Sequence, residues 1–500
     1  MNTIPAILLS LISWVLLAFC FPPYPLGLGA LIVLAPWFCV LKTASKRVAL
    51  ASSYLGAFAF NAISIYWFYH VGDIAPPTLI LSGLFLSIAF LSLFTLVCAY
   101  VFIKLPYILI FPFFWAGIEV LRAKGDMSFP WLSLGLVFGN HLELMQSYAL
   151  FGVFGCSAII IASNMCVATA ILKRKKNLGL APLGLAIIFY IGGYGVLTDE
   201  KNDVDTLKVA VVQPSIHQTK KWSRDYFDSV MTQTWDLFET LEPGSADLIL
   251  FAETAIPDYI NSRYRESRFL EDYAEKNNSA IVIGALNRSL NQDPDRIKKY
   301  NIYNSAFLFG FGIPVLEYRK MHLVPFSERM PFDDVFSVIN YVDLGSGNFS
   351  RGDSLSIWQP GSFSPLICYE AIYGSILRDA KRKGAKFIAN ITNDGWFYKS
   401  IAPYQHFNLV RSHAVENGIG VVRAANTGIS AFILPNGRIL EKTELFEKKI
   451  ITQNFPLETY FTPYSVIGDY VELVLFVFSL LMFVVAIIKR YPSNKRSLIQ

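Results

Sequence analysis

The first 41 residues contain no Asp, Glu, Lys or Arg. A charge-free stretch of that length cannot form the surface of a soluble domain, so membrane spans are the first expectation. It reads as two hydrophobic runs, about 3–21 and 26–42, divided by "FPPYP". A cleaved leader would need a basic start, which is missing, and bulky Phe19 precedes Cys20 where a lipoprotein cleavage site needs a small residue. Further runs follow at about 49–71, 79–103, 106–121, 149–172, 178–197 and 466–488. The expectation is therefore an α-helical membrane domain of about eight spans.

Basic residues in the short loops give the orientation. Lys42, Lys46 and Arg47, then Lys104, the "KRKK" of 173–176, and Lys489, Arg490, Lys495 and Arg496 follow alternate runs. The opposite short loops hold only Arg122 and Lys124. Both termini are expected in the cytoplasm, and residues 203–463, which are mixed and charged, on the far side. In a diderm bacterium that means a multi-pass inner-membrane protein with a periplasmic domain. The expected division is 1–202 with seven spans, 203–463 as the exported domain, and 464–500 as the last span and tail. A net charge of +5 distributed by topology is no nucleic-acid footprint.

The exported segment alternates strand-like and helix-like stretches, an α/β or α+β pattern. Buried strands are expected at 207–215, 246–253, 279–286, 364–370 and 386–393, and helices at 223–241, 264–277, 371–383 and 403–417. Asn436-Gly437 reads as a hairpin turn. Of six cysteines, five lie in hydrophobic runs and only Cys368 lies in the exported segment, with no disulfide partner there. It ends a strand and begins a turn, in "SPLICYEAIYG", as a nucleophile does. A thiol needs a base or a cation to react at neutral pH. Glu253, closing "ADLILFAE", and Lys320, after "VLEYRK", could supply both if their strands are neighbours. Core filler is the plain alternative for Cys368.

"FAETAIPD", "YRKMHLVPFSE", "ICYEAIYG" and "ITNDGWF" occur in an order that resembles the nitrilase superfamily. With "KW" (221–222), "FPW" (129–131), "FSRGD" (349–353), "PYQHF" (403–407) and "FTPY" (461–464), nearly the whole chain resembles the apolipoprotein N-acyltransferases, the membrane-embedded branch. That resemblance implies a four-layer αββα sandwich mounted on the membrane helices. It implies Cys368 as nucleophile, Glu253 as general base and Lys320 as the oxyanion's cation, with support from Glu328, Glu370 and the backbone N–H of Tyr369. Trp222, Phe326, Trp396 and Phe397 would wall an acyl pocket, against the plain reading that they pack under loops. Trp131 and Arg122 are further candidates for substrate contact, Arg122 through a lipid phosphate or else as a topology anchor. Ser128 stands where the family often has glycine before "FPW". Residues 330–349 have the composition of a movable lid.

The implied reaction passes an acyl chain from a phospholipid resembling phosphatidylethanolamine to Cys368, and from there to the α-amino group of a diacylated apolipoprotein. It requires no cofactor or metal, and a monomer is expected. Three other readings compete: a membrane-tethered amidase acting on a small C–N substrate; a transporter, for which Glu119, Asp469 and Glu472 lie too near the span ends; and a Cys-His enzyme using His217, His322, His406 or His413.

Overall fold

The structure is a computed structural model; it describes all residues except 75, 199–203, 292–299, 311, 334, 336–347 and 490–500. The junction at 202–203, most of the expected lid and the C-terminal tail lie outside the described residues.

Residues Thr206–Pro456 carry two sheets. The first is built from β1 (Thr206–Gln213), β2 (Leu248–Phe251), β3 (Ile256–Tyr259), β4 (Ala280–Leu290), β5 (Tyr300–Gly310) and β6 (Ile313–Arg319). The second contains β7 (Phe363–Ile367), β8 (Phe387–Thr392), β9 (Gly420–Ala425), β10 (Ala431–Ile433) and β11 (Ile439–Lys442); β12 (Lys449–Pro456) returns to the first. The orders are β12-β1-β2-β4-β5-β6, with β3 alongside β4, and β11-β10-β9-β8-β7. β1, β2 and β4 run parallel, as do β7, β8 and β9. Such strands are covered on both faces, which is why they read as unbroken apolar runs. Alternation assigns the faces. Val209, Val211, Leu248, Leu250 and Val282 join the core shared with Leu366, Phe387 and Val421 of the other sheet. Ala210, Val212, Ile249, Ile281 and Ile283 instead pack under helices Phe227–Phe238 and Tyr264–Asn277. Helices Gly374–Arg382 and Ala402–Asn417 belong to the second sheet, so the layers are αββα, as the resemblance implied. Each expected strand and helix is present, most of them shorter than the sequence suggests. Gly437 supplies the left-handed turn residue between β10 and β11, at φ +80°.

The membrane part is less uniform than eight equal spans. Among the described residues, five helical segments are long and apolar enough to cross a bilayer: Lys46–His70, Pro77–Lys104, Ser147–Lys173, Lys176–Thr198 and Pro463–Ile488. Thr3–Ala18 and Gly27–Thr43 are apolar but shorter, and Phe111–Arg122 has 12 residues. At 1.5 Å per residue that last helix reaches about 18 Å, well short of a hydrocarbon core of about 30 Å. Gly117 lets it lie directly on Pro463–Ile488: a Cβ there would come within 2.8 Å of the Leu475 carbonyl carbon, and closer still to the Leu475 carbonyl oxygen and the Ser479 hydroxyl.

The two parts are joined through helices Gly374–Arg382 and Ala402–Asn417. Arg378, fully buried, reaches Asp469 (2.6 Å) and Glu472 (2.9 Å) of the last membrane helix, and Lys124 also pairs with Glu472 at 2.9 Å. The Gln405 side-chain oxygen accepts from the indoles of Trp67 (3.1 Å) and Trp131 (2.8 Å). Glu416 accepts from the backbone N–H of Val153, at 2.9 Å, where Gly152 (φ +66°) breaks helix Ser147–Lys173. A carboxylate at the start of the helical run beyond that break complements its dipole.

Candidate active site

Glu253 and Cys368 each lie just beyond the carboxyl end of a parallel strand, where open α/β sheets gather their chemistry. The strands carrying Glu253 and Lys320 are not neighbours: β4 and β5 lie between β2 and β6. Cys368 comes from the other sheet altogether, at the end of edge strand β7. A single sheet edge is therefore the wrong picture, and the three side chains meet across the sandwich.

Cys368 is held at φ +51°, a left-handed conformation a β-substituted residue adopts only where its surroundings enforce it. It opens the short helix Cys368–Ile372, whose first amide N–H groups, that of Tyr369 included, have no intrahelical acceptor. The residue keeps a window to solvent, yet protein surrounds the sulfur closely enough that burial pushes its thiol up to about 12. Glu253 pushes in the same direction and Lys320 opposes it. The thiol therefore stays protonated at neutral pH, and a base has to remove its proton in the reaction itself.

Glu253 is 6% exposed. Its Oε1 accepts from Asn304 Nδ2 at 2.7 Å and lies 3.7 Å from Lys320 Nζ. Burial raises its pKa, Lys320 lowers it, and Glu328 raises it again, with a net rise. That suits a carboxylate serving as general base. Lys320 is 1% exposed and pairs with Glu328 Oε1 at 2.8 Å. Burial alone would lower its pKa; Glu328, Glu253 and the thiol outweigh that, so the ammonium is firmly held. Glu328 also accepts from Asn304 Nδ2 (3.2 Å) and Val324 N (2.8 Å).

Glu370 is fully buried and ties the two sheets together. Its carboxylate accepts from Tyr318 Oη (2.8 Å), Met321 N (2.7 Å) and His322 N (3.2 Å), and from Ile367 N (2.8 Å). The first three donors flank Lys320 and the last precedes Cys368. Burial pushes Glu370 up to about 7 against those hydrogen bonds. The Tyr369 hydroxyl donates to the Ser128 carbonyl (2.9 Å), and the Ser128 and Tyr373 hydroxyls lie 2.8 Å apart. The serine in place of glycine thus joins the "FPW" loop to the turn around the nucleophile.

The remaining expected residues divide. Trp222 and Phe326 are 40% and 49% exposed, on loops, and are free to meet a ligand. Trp396 and Phe397 are partly buried, with Phe397 edge-on to Trp67 at 4.8 Å. Trp131 is only 3% exposed, stacked on Phe129 and tilted against His406, which leaves little of the ring for a substrate. Arg122 does not present its full guanidinium to the interface: Nε and Nη2 are buried without partners, and the side chain lines a cavity of about 30 Å³ with Glu119, Trp14 and Asn61. Among the histidines, His406 bonds Asp394 at 2.8 Å and His413 bonds Glu416 at 2.6 Å, both buried. His322 lies against Tyr373.

Asn304 carries no signal of its own in the sequence: it is a single asparagine in β5, a strand buried through its middle. Asp394 and Arg423, paired at 2.9 Å with neither side chain exposed, also went unread.

The carbon-nitrogen hydrolase family model matches residues 208–461, and that of the apolipoprotein N-acyltransferase N-terminal domain matches residues 13–166. An apolipoprotein N-acyltransferase from Geobacter metallireducens is 30% identical, over 92% of this chain and 91% of its own. One from Rickettsia prowazekii is 31% identical, over 89% of this chain and 91% of its own. Among solved structures, an amidase from Nesterenkonia sp. is 18% identical over 54% of this chain, with a TM-score of 0.37, a likeness too low to add to the fold described. With family models matching both parts and relatives aligned along nearly its full length, the chain belongs to the apolipoprotein N-acyltransferase family.

Proposed function

We propose that the protein transfers a fatty acyl chain from a phospholipid to the N-terminal α-amino group of a diacylglyceryl-cysteine apolipoprotein, through a thioester on Cys368. The observation that carries the reading is the meeting of Glu253, Lys320 and the Cys368 turn across the sandwich, in a chain whose apolar helices are tied to that turn through the Tyr369 hydroxyl and the Ser128 carbonyl.

In the first transfer the Cys368 sulfur attacks the ester carbonyl while Glu253 takes the thiol proton. The oxyanion forms beside the Lys320 ammonium and the Tyr369 amide. Collapse breaks the ester C–O bond, and Glu253 returns its proton to the departing lyso-phospholipid oxygen. In the second, the acceptor amine attacks the thioester, a C–N bond replaces the C–S bond, and a proton from nitrogen passes through Glu253 to the leaving sulfur. Glu328 and Glu370 hold Lys320 and the turn in place. Trp222, Phe326, Trp396 and Phe397 line the acyl path. Phosphatidylethanolamine-like lipid is the donor. The enzyme works as a monomer in the bacterial inner membrane, crossed about eight times, with 203–463 in the periplasm, 1–202 and 464–500 in or at the membrane, and both termini in the cytoplasm.

Mass spectrometry of the purified protein after incubation with phospholipid tests this. A fatty acyl thioester on Cys368, absent from Cys368→Ser and discharged by a diacylated lipopeptide amine, is the expected result. Release of free fatty acid or ammonia with no covalent adduct would favour a hydrolytic amidase instead.

A further inference from the structure

Two adjacent lysines in the short helix Gln218–Lys221 have opposite fates. Lys220 is exposed, its ammonium 5.9 Å from the centre of the Tyr226 ring. Lys221 is 3% exposed, and its Nζ donates to the backbone carbonyl of Glu253 at 2.8 Å. Among the described residues no carboxylate lies within ion-pair distance of it. A buried amine in that setting costs several kcal/mol that a methionine of similar length would not.

The main chain it grips is already constrained. Thr254, the next residue, sits at φ +45°, and Gly284 of β4 packs so closely that a Cβ there would come within 2.7 Å of the Glu253 Cα. Glu253 is thus held at both ends, by Lys221 at its carbonyl and by Asn304 at its carboxylate. The Lys221 amine also acts through space on the Glu253 carboxyl and the Cys368 thiol. Burial lowers its pKa to about 7, with Glu253 and Cys368 pulling the other way. The other charged groups facing this cluster are Lys320, Glu328 and, behind the sulfur, Asp394.

We propose that Lys221 is a positioning residue for the acyl-transfer reaction, fixing the backbone of Glu253 and supplying a positive charge that favours the carboxylate form of Glu253 over the acid. The inference rests on Glu253 being the base that deprotonates Cys368. With Lys221 protonated, Glu253 gives up its proton more readily; without that charge, it keeps its proton to higher pH.

The experiment measures the initial rate of thioester formation on Cys368 in the full-length enzyme with phospholipid, from about pH 5 to about pH 9, for wild type, Lys221→Met and Lys221→Arg. In Lys221→Met the rate falls by ~10-fold or more and the acidic limb of the profile moves up by ~0.5 pH unit or more. Lys221→Arg, charged at every pH, keeps its limb at or below that of wild type. A slower Lys221→Met with its limb unmoved would reduce Lys221 to a packing residue and overturn the proposal, as would a Met variant with the wild-type profile. Should Lys221→Met not accumulate as folded protein, an upward shift in Lys221→Arg overturns the proposal and a limb at or below wild type supports it. Glu253→Gln separates the two levels of argument. If it forms thioester at the wild-type rate, the base assignment itself fails; if it is inactive while the Lys221 variants keep the wild-type limb, only this inference fails.

Discussion

Asn304 shows how much of the site depends on one uncharged side chain. Its amide donates to Glu253 at 2.7 Å and to Glu328 at 3.2 Å, keeping two carboxylates in register beside one ammonium. A hydrogen bond to a buried charge contributes about 1.5–3 kcal/mol. Asn304→Leu should therefore slow acyl-enzyme formation on the order of 10- to 100-fold, read by quenched-flow mass spectrometry. It should also raise the pH at which Glu253 loses its proton, because that donor favours the carboxylate. In wild type, thioester formation should increase with pH through the raised pKa of Glu253 and continue to be supported while Lys320 stays protonated. A rate that fell over the acidic to neutral range would contradict this. Glu253 and Cys368 stand out in the sequence as candidates because each ends an apolar run with a reactive group, whereas Lys320 follows the mixed "VLEYR" and stands out through the order of the motifs. Asn304 is not legible there, being one polar residue in a strand buried through its middle, and Lys221 stands only as half of the "KW" motif, with nothing in the sequence to give it a role.

At the scale of elements, Glu370 carries the heaviest structural duty. Its carboxylate binds the end of β6 to the end of β7, and so fixes the spacing of Lys320 from the nucleophile's turn. The carboxyl titrates near 7 in the folded protein, against about 4.3 for a glutamate in an unfolded chain. Between those values the folded state holds the proton more tightly, so this group's contribution makes stability fall as pH rises. Glu370→Gln, neutral throughout, should flatten that fall in thermal unfolding midpoints measured from about pH 4.5 to about pH 7. An unchanged slope would mean Glu370 does not titrate there. The strands were legible because parallel, doubly covered strands leave unbroken apolar runs; their partners were not, since pairing is non-local and nothing near Glu253 in sequence says that β4 and β5 intervene. The short membrane-side helices were misjudged for length because an apolar run counts turn residues along with helical ones. The run at 106–121 begins in a non-helical segment, and its helix starts only at Phe111.

For the whole molecule, the decisive contact is the charged junction between the sandwich and the last membrane helix. Arg378 has no exposure and holds both Asp469 and Glu472. Removing one partner of a fully buried pair costs about 3–5 kcal/mol. Here Asp469 is 45% exposed and Glu472 keeps Lys124, so the loss falls below that range and comes mainly from the buried Glu472. Arg378→Met should lower the thermal midpoint of the detergent-solubilised protein by several degrees, and Glu472→Gln in the same background should restore part of the loss. If the double variant is no better than the single, Arg378 and Glu472 are not coupled. The sulfur belongs to one sheet and the carboxylate and ammonium to the other. Turnover is consequently a ruler for the gap between the layers. Mild denaturant that swells the interior by a fraction of an ångström should silence the enzyme while its circular dichroism still looks native.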